Sequence, residues 1–188
     1  NDTICTGGNA TFVAIPTNGG TTPQYKWYRN SSFTGVTAAT YPVTAPTNGD
    51  VFYCELTNNT TCAVPAASNS NSITLTVLPN VTPSVSVTAN PTGPLAPFQV
   101  VTFTATPVNG GSTPQYQWTR NGTNVTGAMA SSWGASTLSN HDTICVWLTS
   151  SEQCPSPKTV KSSNCVTVTI LTGVDDTNNS AGIQLYPN

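Results

Sequence analysis

The chain has 188 residues, a formal net charge of -2 and only 6% charged side chains, against roughly 25% in an average globular protein. That charge balance offers no basic field for nucleic acid, and no apolar run reaches the roughly 18 residues of a membrane-spanning helix. With one histidine, His141, and no CxxC pair, the six cysteines do not compose a Cys/His zinc site; they read as disulfides or buried thiols of an oxidising compartment.

Taken in chain order, strands announce themselves by alternation. Thr11–Ile15 sets Phe12 and Ala14 on one face; Tyr25 and Trp27 share a face in the next strand, which ends at Arg29-Asn30. Phe52, Cys54 and Leu56 share another, and Ile73–Val77 alternates strictly between apolar residues and Thr. Then the pattern returns. Thr11–Asn30 reappears as Thr102–Asn121 with fourteen of twenty positions identical, an offset of 91 residues. That period suits a whole small β domain. The second copy supplies Phe103/Ala105, Tyr116/Trp118, Ile144/Val146/Leu148 and Val166/Val168/Ile170. Asn-Gly-Gly turns begin at Asn18 and Asn109, and no stretch shows a helical period. Regular turn signals and a Trp in the third strand predict an all-β chain of two tandem immunoglobulin-like β-sandwiches. The expected boundaries are 1–79, 80–171 and a polar tail, 172–188. Pro79–Pro83, with two prolines, reads as a stiff linker that would set the sandwiches end to end. The chain begins at Asn1 inside what reads as a mature domain, the expected product of a precursor whose signal has been removed.

The segments Asn80–Val87 (NVTPSVSV), Val101–Gly122 and Asp142–Cys154, matched in the first copy by Thr11–Asn30 and Asp50–Cys62, resemble the immunoglobulin/PKD-like repeats of Bacteroidetes cell-surface proteins. The tail, GVDDTNNSAGIQLYPN, resembles the start of a type IX secretion C-terminal sorting domain. The resemblance implies a protein secreted through the outer membrane to the cell surface: an adhesin, a stalk or an accessory to a secreted enzyme. Asp2-Thr3-Ile4 and Asp142-Thr143-Ile144 match the short O-glycosylation signal of such bacteria, which makes Thr3 and Thr143 acceptor candidates. The Asn-x-Ser/Thr sequons at Asn9, Asn121 and Asn124 mean little in so Asn- and Thr-rich a chain.

Trp27 and Trp118, each beside an inward Tyr, read as core. Trp147 falls out of phase with Val146 and Leu148, and Trp133 stands in a turn-like Ser-Ser-Trp-Gly; both are candidates for a binding or assembly surface. Lys26 and Glu55, at the positions that Gln117 and Trp147 hold in the second copy, read as a cross-strand surface pair. His141 beside Asp142 lacks a nucleophile elbow, the carboxylates are scattered, and Asp175-Asp176 lacks calcium-loop spacing. Catalytic residues, cofactor and metal are therefore expected to be none.

For the cysteines, comparison of the copies predicts Cys5–Cys62 and Cys154–Cys165, with Cys54 an inward thiol and Cys145 facing the other way. In the tail, Ile183, Leu185 and Tyr186 belong to a segment that alternates like a strand and is expected to add to a sheet edge of an adjacent copy, head to tail. The reading is a non-enzymatic extracellular structural or adhesive module whose partners are other copies of itself, other surface proteins or glycans. Its alternative is a carbohydrate-binding accessory region of a secreted hydrolase. Nucleic acid and membrane insertion are not expected.

Overall fold

The computed structural model describes residues 2–60, 62 and 64–171. Every helix or strand among them is a strand, as β-branched residues alternating with Ser, Thr and Asn dictate. Among the described residues two compact units emerge: those up to 81 with Gln153–Ser156, and 82–152 with 157–171.

The first unit holds β1 (Thr3–Cys5), β2 (Asn9–Val13), β3 (Gln24–Arg29), β4 (Ser32–Phe33), β5 (Thr40–Thr44), β6 (Val51–Thr57), β7 (Ala67–Asn69), β8 (Ile73–Thr74) and β9 (Thr76–Leu78). β2 pairs with β5; a larger sheet runs β4-β3-β6-β7 with β8 also on β6; β1 lies parallel to β9. The second unit holds β10 (Ser84–Asn90), β11 (Val101–Val108), β12 (Gln115–Arg120), β13 (Thr123–Asn124), β14 (Ser132–Ala135), β15 (Thr143–Thr149), β16 (Thr159–Lys161) and β17 (Val166–Thr167). Its sheets run β10-β11-β14 and β13-β12-β15-β16, with β17 also on β15. Each unit is an immunoglobulin-like β-sandwich, and the chain is a tandem pair of them.

The period of two sends every second side chain inward. In the first unit Phe12 and Val43 meet Trp27, Phe52 and Cys54. In the second Val85, Val87, Phe103, Trp118, Ile144 and Leu148 belong to one larger cluster. Each fully buried aliphatic or Phe contributes about 1.5–3 kcal/mol. Both core tryptophans satisfy their indole N–H: Trp27 Nε1 donates to the Ala38 carbonyl and Trp118 Nε1 to that of Ala130, each at 2.9 Å.

A polar cluster recurs beside each core. Asp50, 3% exposed, takes an ion pair from Arg29 and hydrogen bonds from Asn30 Nδ2 and the Thr47 amide, both at 2.7 Å. Asp142 repeats this with Arg120 at 2.6 Å, Asn121 Nδ2 at 2.7 Å and the Ser139 amide at 2.6 Å. Burial pushes both carboxyls up. The Arg, the backbone amide and the Asn outweigh it and hold both below the ordinary carboxylate range. The Asn in turn accepts from the first amide of the paired strand, Asn30 Oδ1 from Val51 of β6 and Asn121 Oδ1 from Thr143 of β15. The cluster thus joins the end of β3 to the start of β6, and the end of β12 to the start of β15.

The cysteine pairing differs from the sequence expectation. Cys5 bonds Cys154, and Cys145 bonds Cys165, with Cα separations of 5.5 and 4.6 Å. Cys54 is a buried free thiol and Cys62 an exposed one. Repeat equivalence would have each loop cysteine serve its own repeat. Instead Gln153–Ser156 groups with the first unit. There Val81 bridges Pro155, the Val81 amide donates to the Cys154 carbonyl at 2.9 Å, and the Ser156 amide donates to that of Val81 at 2.8 Å. Those bonds set Cys154 beside β1, so Cys62 has no role in the bridge. Cys145 lies on the outer side of β15, as expected, and Cys165 precedes the strand that pairs with it. That proximity, not repeat equivalence, selects the second bridge.

Candidate functional site

The outer face of the larger sheet is where the two repeats diverge. In the first, Lys26 stands opposite Glu55 and the pair closes at 3.4 Å, with side chains 53% and 28% exposed. Beside it Tyr28 stacks on Tyr53, ring centroids 4.8 Å apart and planes 5° apart, with the exposed Phe33 next to Tyr28. In the second repeat the same register places Gln117 opposite Trp147 and Thr119 opposite Cys145. Ion pair and aromatic stack give way to an apolar ring and a disulfide.

Trp147 projects outward because Val146 and Leu148, its neighbours on β15, are fully buried. It remains 39% exposed, and Met129 near it is 65% exposed. Pro114, Tyr116, Gln117, Met129, Trp147 and Thr149 line a shallow depression of about 460 Å³. Gln117 is held in place: its Nε2 donates to the carbonyls of Trp118 and Val125 at 2.9 and 3.0 Å. Thr149 and Thr159 share a hydroxyl hydrogen bond of 3.1 Å at the rim. Burial raises the Tyr116 phenol above its ordinary range, so it stays neutral. Lys161, opposite Trp147 on β16, supplies the one cation in register with it. An apolar platform flanked by an immobilised amide and hydroxyls can stack a flat ligand or receive an apolar anchor from a partner; it holds no arrangement for moving protons.

Trp133 does not join this surface. It sits on β14, opposite Phe103 on β11, half-buried, with its ring 5.6 Å from Phe103 and 6.3 Å from Trp118. The Ser-Ser-Trp-Gly run is a short strand, and its inward phase adds the indole to the core. Thr3 and Thr143 are half-exposed on β1 and β15, opposite Thr76 and Thr167. His141 is exposed at the entry to β15 with φ 67°, while Asp142 turns to Arg120. Ile183, Leu185, Tyr186 and Asp175-Asp176 lie outside the described residues. Among the described residues no group of His, Cys, Asp and Glu is arranged to hold a metal ion, and no helix is long and apolar enough to cross a membrane. The Arg–Asn–Asp clusters leave one trace in the sequence, where Arg-Asn followed by Asp stands at almost the same offset in both copies (29, 30, 50 and 120, 121, 142).

No family model and no curated protein matches the chain. Among solved structures it is similar to the fibronectin(III)-like modules of Clostridium thermocellum CbhA, at 12% identity and TM-score 0.44, covering 90% of this chain and 87% of that one. It is also similar to the N-terminal four Ig domains of Dscam1 isoform 8.4 (11%, TM-score 0.39, 89% of this chain) and to the mouse nectin-like molecule 4 ectodomain (14%, TM-score 0.38, 82%). The chain spans 42% of the Dscam1 chain and 57% of the nectin-like one. At these TM-scores the likenesses carry nothing about function.

Proposed function

We propose that the chain is a non-enzymatic, extracellular structural or adhesive module of a bacterial surface protein, and that the Trp147 face is where it meets a partner. The observation that carries this reading is the contrast between inside and outside. The duplicated parts are the core aromatics and the Arg–Asn–Asp clusters, which build the scaffold. The outer faces differ, and that of the second repeat turns a large apolar ring, Trp147, away from the core. Two disulfides fit an oxidising, extracellular setting. The partners are other copies of the chain or other surface proteins.

The test is Trp147→Ala. Removing a side chain that is 39% exposed is expected to cost on the order of 1 kcal/mol of stability and leave the fold intact, whereas loss of an anchor weakens binding by about tenfold or more. Pull-down from the producing cell's surface fraction, followed by affinity measurement, checks it; unchanged affinity for every recovered partner discards this face. The second reading, a carbohydrate-binding accessory region of a secreted hydrolase, draws on the same ring, since an exposed indole beside Gln117 and Thr149 suits a sugar face. Glycan-array binding that disappears with Trp147→Ala favours it over a protein partner.

A further inference from the structure

The chain carries five Lys and Arg side chains. Three are closed by carboxylates: Lys26 by Glu55, Arg29 by Asp50 and Arg120 by Asp142. Lys158 and Lys161 make no ion pair among the described residues, and both are exposed. Both stand at one place in the fold. Lys161 ends β16, and Lys158 immediately precedes it. That strand flanks β15 on the side away from β12. The two unbalanced cations therefore lie along the edge of the sheet that bears Trp147.

Register makes the arrangement specific. Gln117, Trp147 and Lys161 stand opposite one another on three neighbouring strands, which puts an amide, an indole and an ammonium in one row. Two residues along, Gln115, Thr149 and Thr159 form the next row. Adjacent strands are about 4.8 Å apart and residues two apart share a face, so both rows belong to one patch. Gln117 spends both amide protons on the carbonyls of Trp118 and Val125, which leaves its Oε1 as an acceptor. No carboxylate stands on β12, β15 or β16. Glu152, exposed in the loop after β15, pairs with neither lysine among the described residues. The first repeat fills the same row with Lys26, Glu55 and Asn69, where the ammonium is neutralised by its neighbour. In the second repeat the carboxylate position holds an indole, and the cation stands on the far strand with nothing to balance it.

We propose that this patch binds a polysaccharide that carries uronic acid. One sugar ring lies with its C–H face on the Trp147 indole, beside the exposed Met129. Its carboxylate, projecting from the ring edge, meets Lys161 one strand over. Its hydroxyls donate to Gln117 Oε1 and join the hydrogen bond between Thr149 and Thr159. A few placed polar groups around an apolar platform are what orient such a ligand, and the sign of the unbalanced charge selects an acid. A neutral sugar leaves Lys161 unused. An acidic peptide brings the carboxylate without the flat, polyhydroxylated ring that the indole, the amide and the hydroxyls address. Lys158, next to the row, favours a polymer with repeated acids over a single one. The inference rests on the reading above in that Trp147 is the point of contact, and it carries the carbohydrate alternative to one ligand class.

The experiment is biolayer interferometry on the immobilised full chain. The probes are polygalacturonate, alginate and hyaluronate, each with its methyl ester, beside dextran and poly-L-glutamate. The expected result is binding of at least one uronate polymer, falling as salt screens the charge. Methyl esterification, Lys161→Gln and Trp147→Ala should each weaken it by about tenfold or more, and Lys161→Arg should retain it. Lys26→Gln should leave it unchanged, because Glu55 already balances that ammonium. Dextran and poly-L-glutamate should bind weakly at best. Lys161 is exposed, so its replacement leaves the fold intact, which the fluorescence of the core tryptophans checks. Failure of all three uronate polymers to bind overturns the proposal. So does equal affinity for the esters, or binding that Lys161→Gln does not weaken. Equal binding of poly-L-glutamate overturns it too and assigns the face to an acidic peptide. A face that captures a protein partner through Trp147 but no uronate polymer keeps the reading above and discards the acidic sugar, which separates the two failures.

Discussion

Asp50 shows how one side chain can govern acid sensitivity. Its carboxyl is nearly sealed from water, yet Arg29, Asn30 and the Thr47 amide hold it ionised, with its pKa below the ordinary value. A depressed folded pKa means the stabilisation is present above the unfolded value of about 3.9 and is lost as the pH falls through that value toward the folded one. Asp142 carries the same sign. Asp50→Asn removes one partner of a buried pair, which costs about 3 kcal/mol, the low end of the usual range, because 31% of the Arg29 side chain stays in water. Urea denaturation at neutral and acidic pH checks both points: the variant is weaker at pH 7 and loses less on acidification than the wild type.

At the scale of elements, the second bridge ties β15 to the start of β17 across a separation of 20 residues. In the chain-entropy account, closing a loop of that size contributes about 3 kcal/mol. Replacing Cys145 and Cys165 together by Ser should lower the stability of the second repeat by that order and leave the first unchanged. The free thiols give a second check. Cys62 is exposed and Cys54 buried, its thiol pushed up by burial, so native alkylation should label Cys62 alone and denaturation should add Cys54. Peptide mapping without reductant should recover Cys5 with Cys154 and Cys145 with Cys165; any link to Cys62 contradicts the structure.

Across the whole chain, the two sandwiches share a blueprint but not a core. The second gains Val85 and Val87 from β10, a strand without a counterpart among the described residues of the first, while the Trp133 ring that β14 sets opposite Phe103 is matched in the first by Tyr41 of β5 opposite Phe12. The first should therefore unfold at lower denaturant, and with two separate cores the two-state approximation should fail. Trp27 is the only indole of the first repeat, so Trp27→Tyr should remove the early fluorescence transition and leave the later one, which Trp118, Trp133 and Trp147 report. A single transition common to all four would show that the units unfold together.

How far this was legible from sequence depends on the range of the interaction. Strand identity, the duplicated sandwich, the inward Trp27 and Trp118, the Lys26–Glu55 pair and the outward phase of Trp147 all follow from a two-residue period and a 91-residue repeat, because those are local properties of the pleated chain. Trp133 looks turn-like in sequence because the four residues of β14 leave too little alternation to tell a strand from a turn. The Cys5–Cys154 bridge spans 149 residues; nothing local to either cysteine encodes it, and it arises only once Val81 pairs with Pro155. The buried Asp clusters depend on residues some twenty apart converging at the strand ends. A strand's sequence records which face it buries, but which of its edges finds a partner is decided only when the sheets assemble.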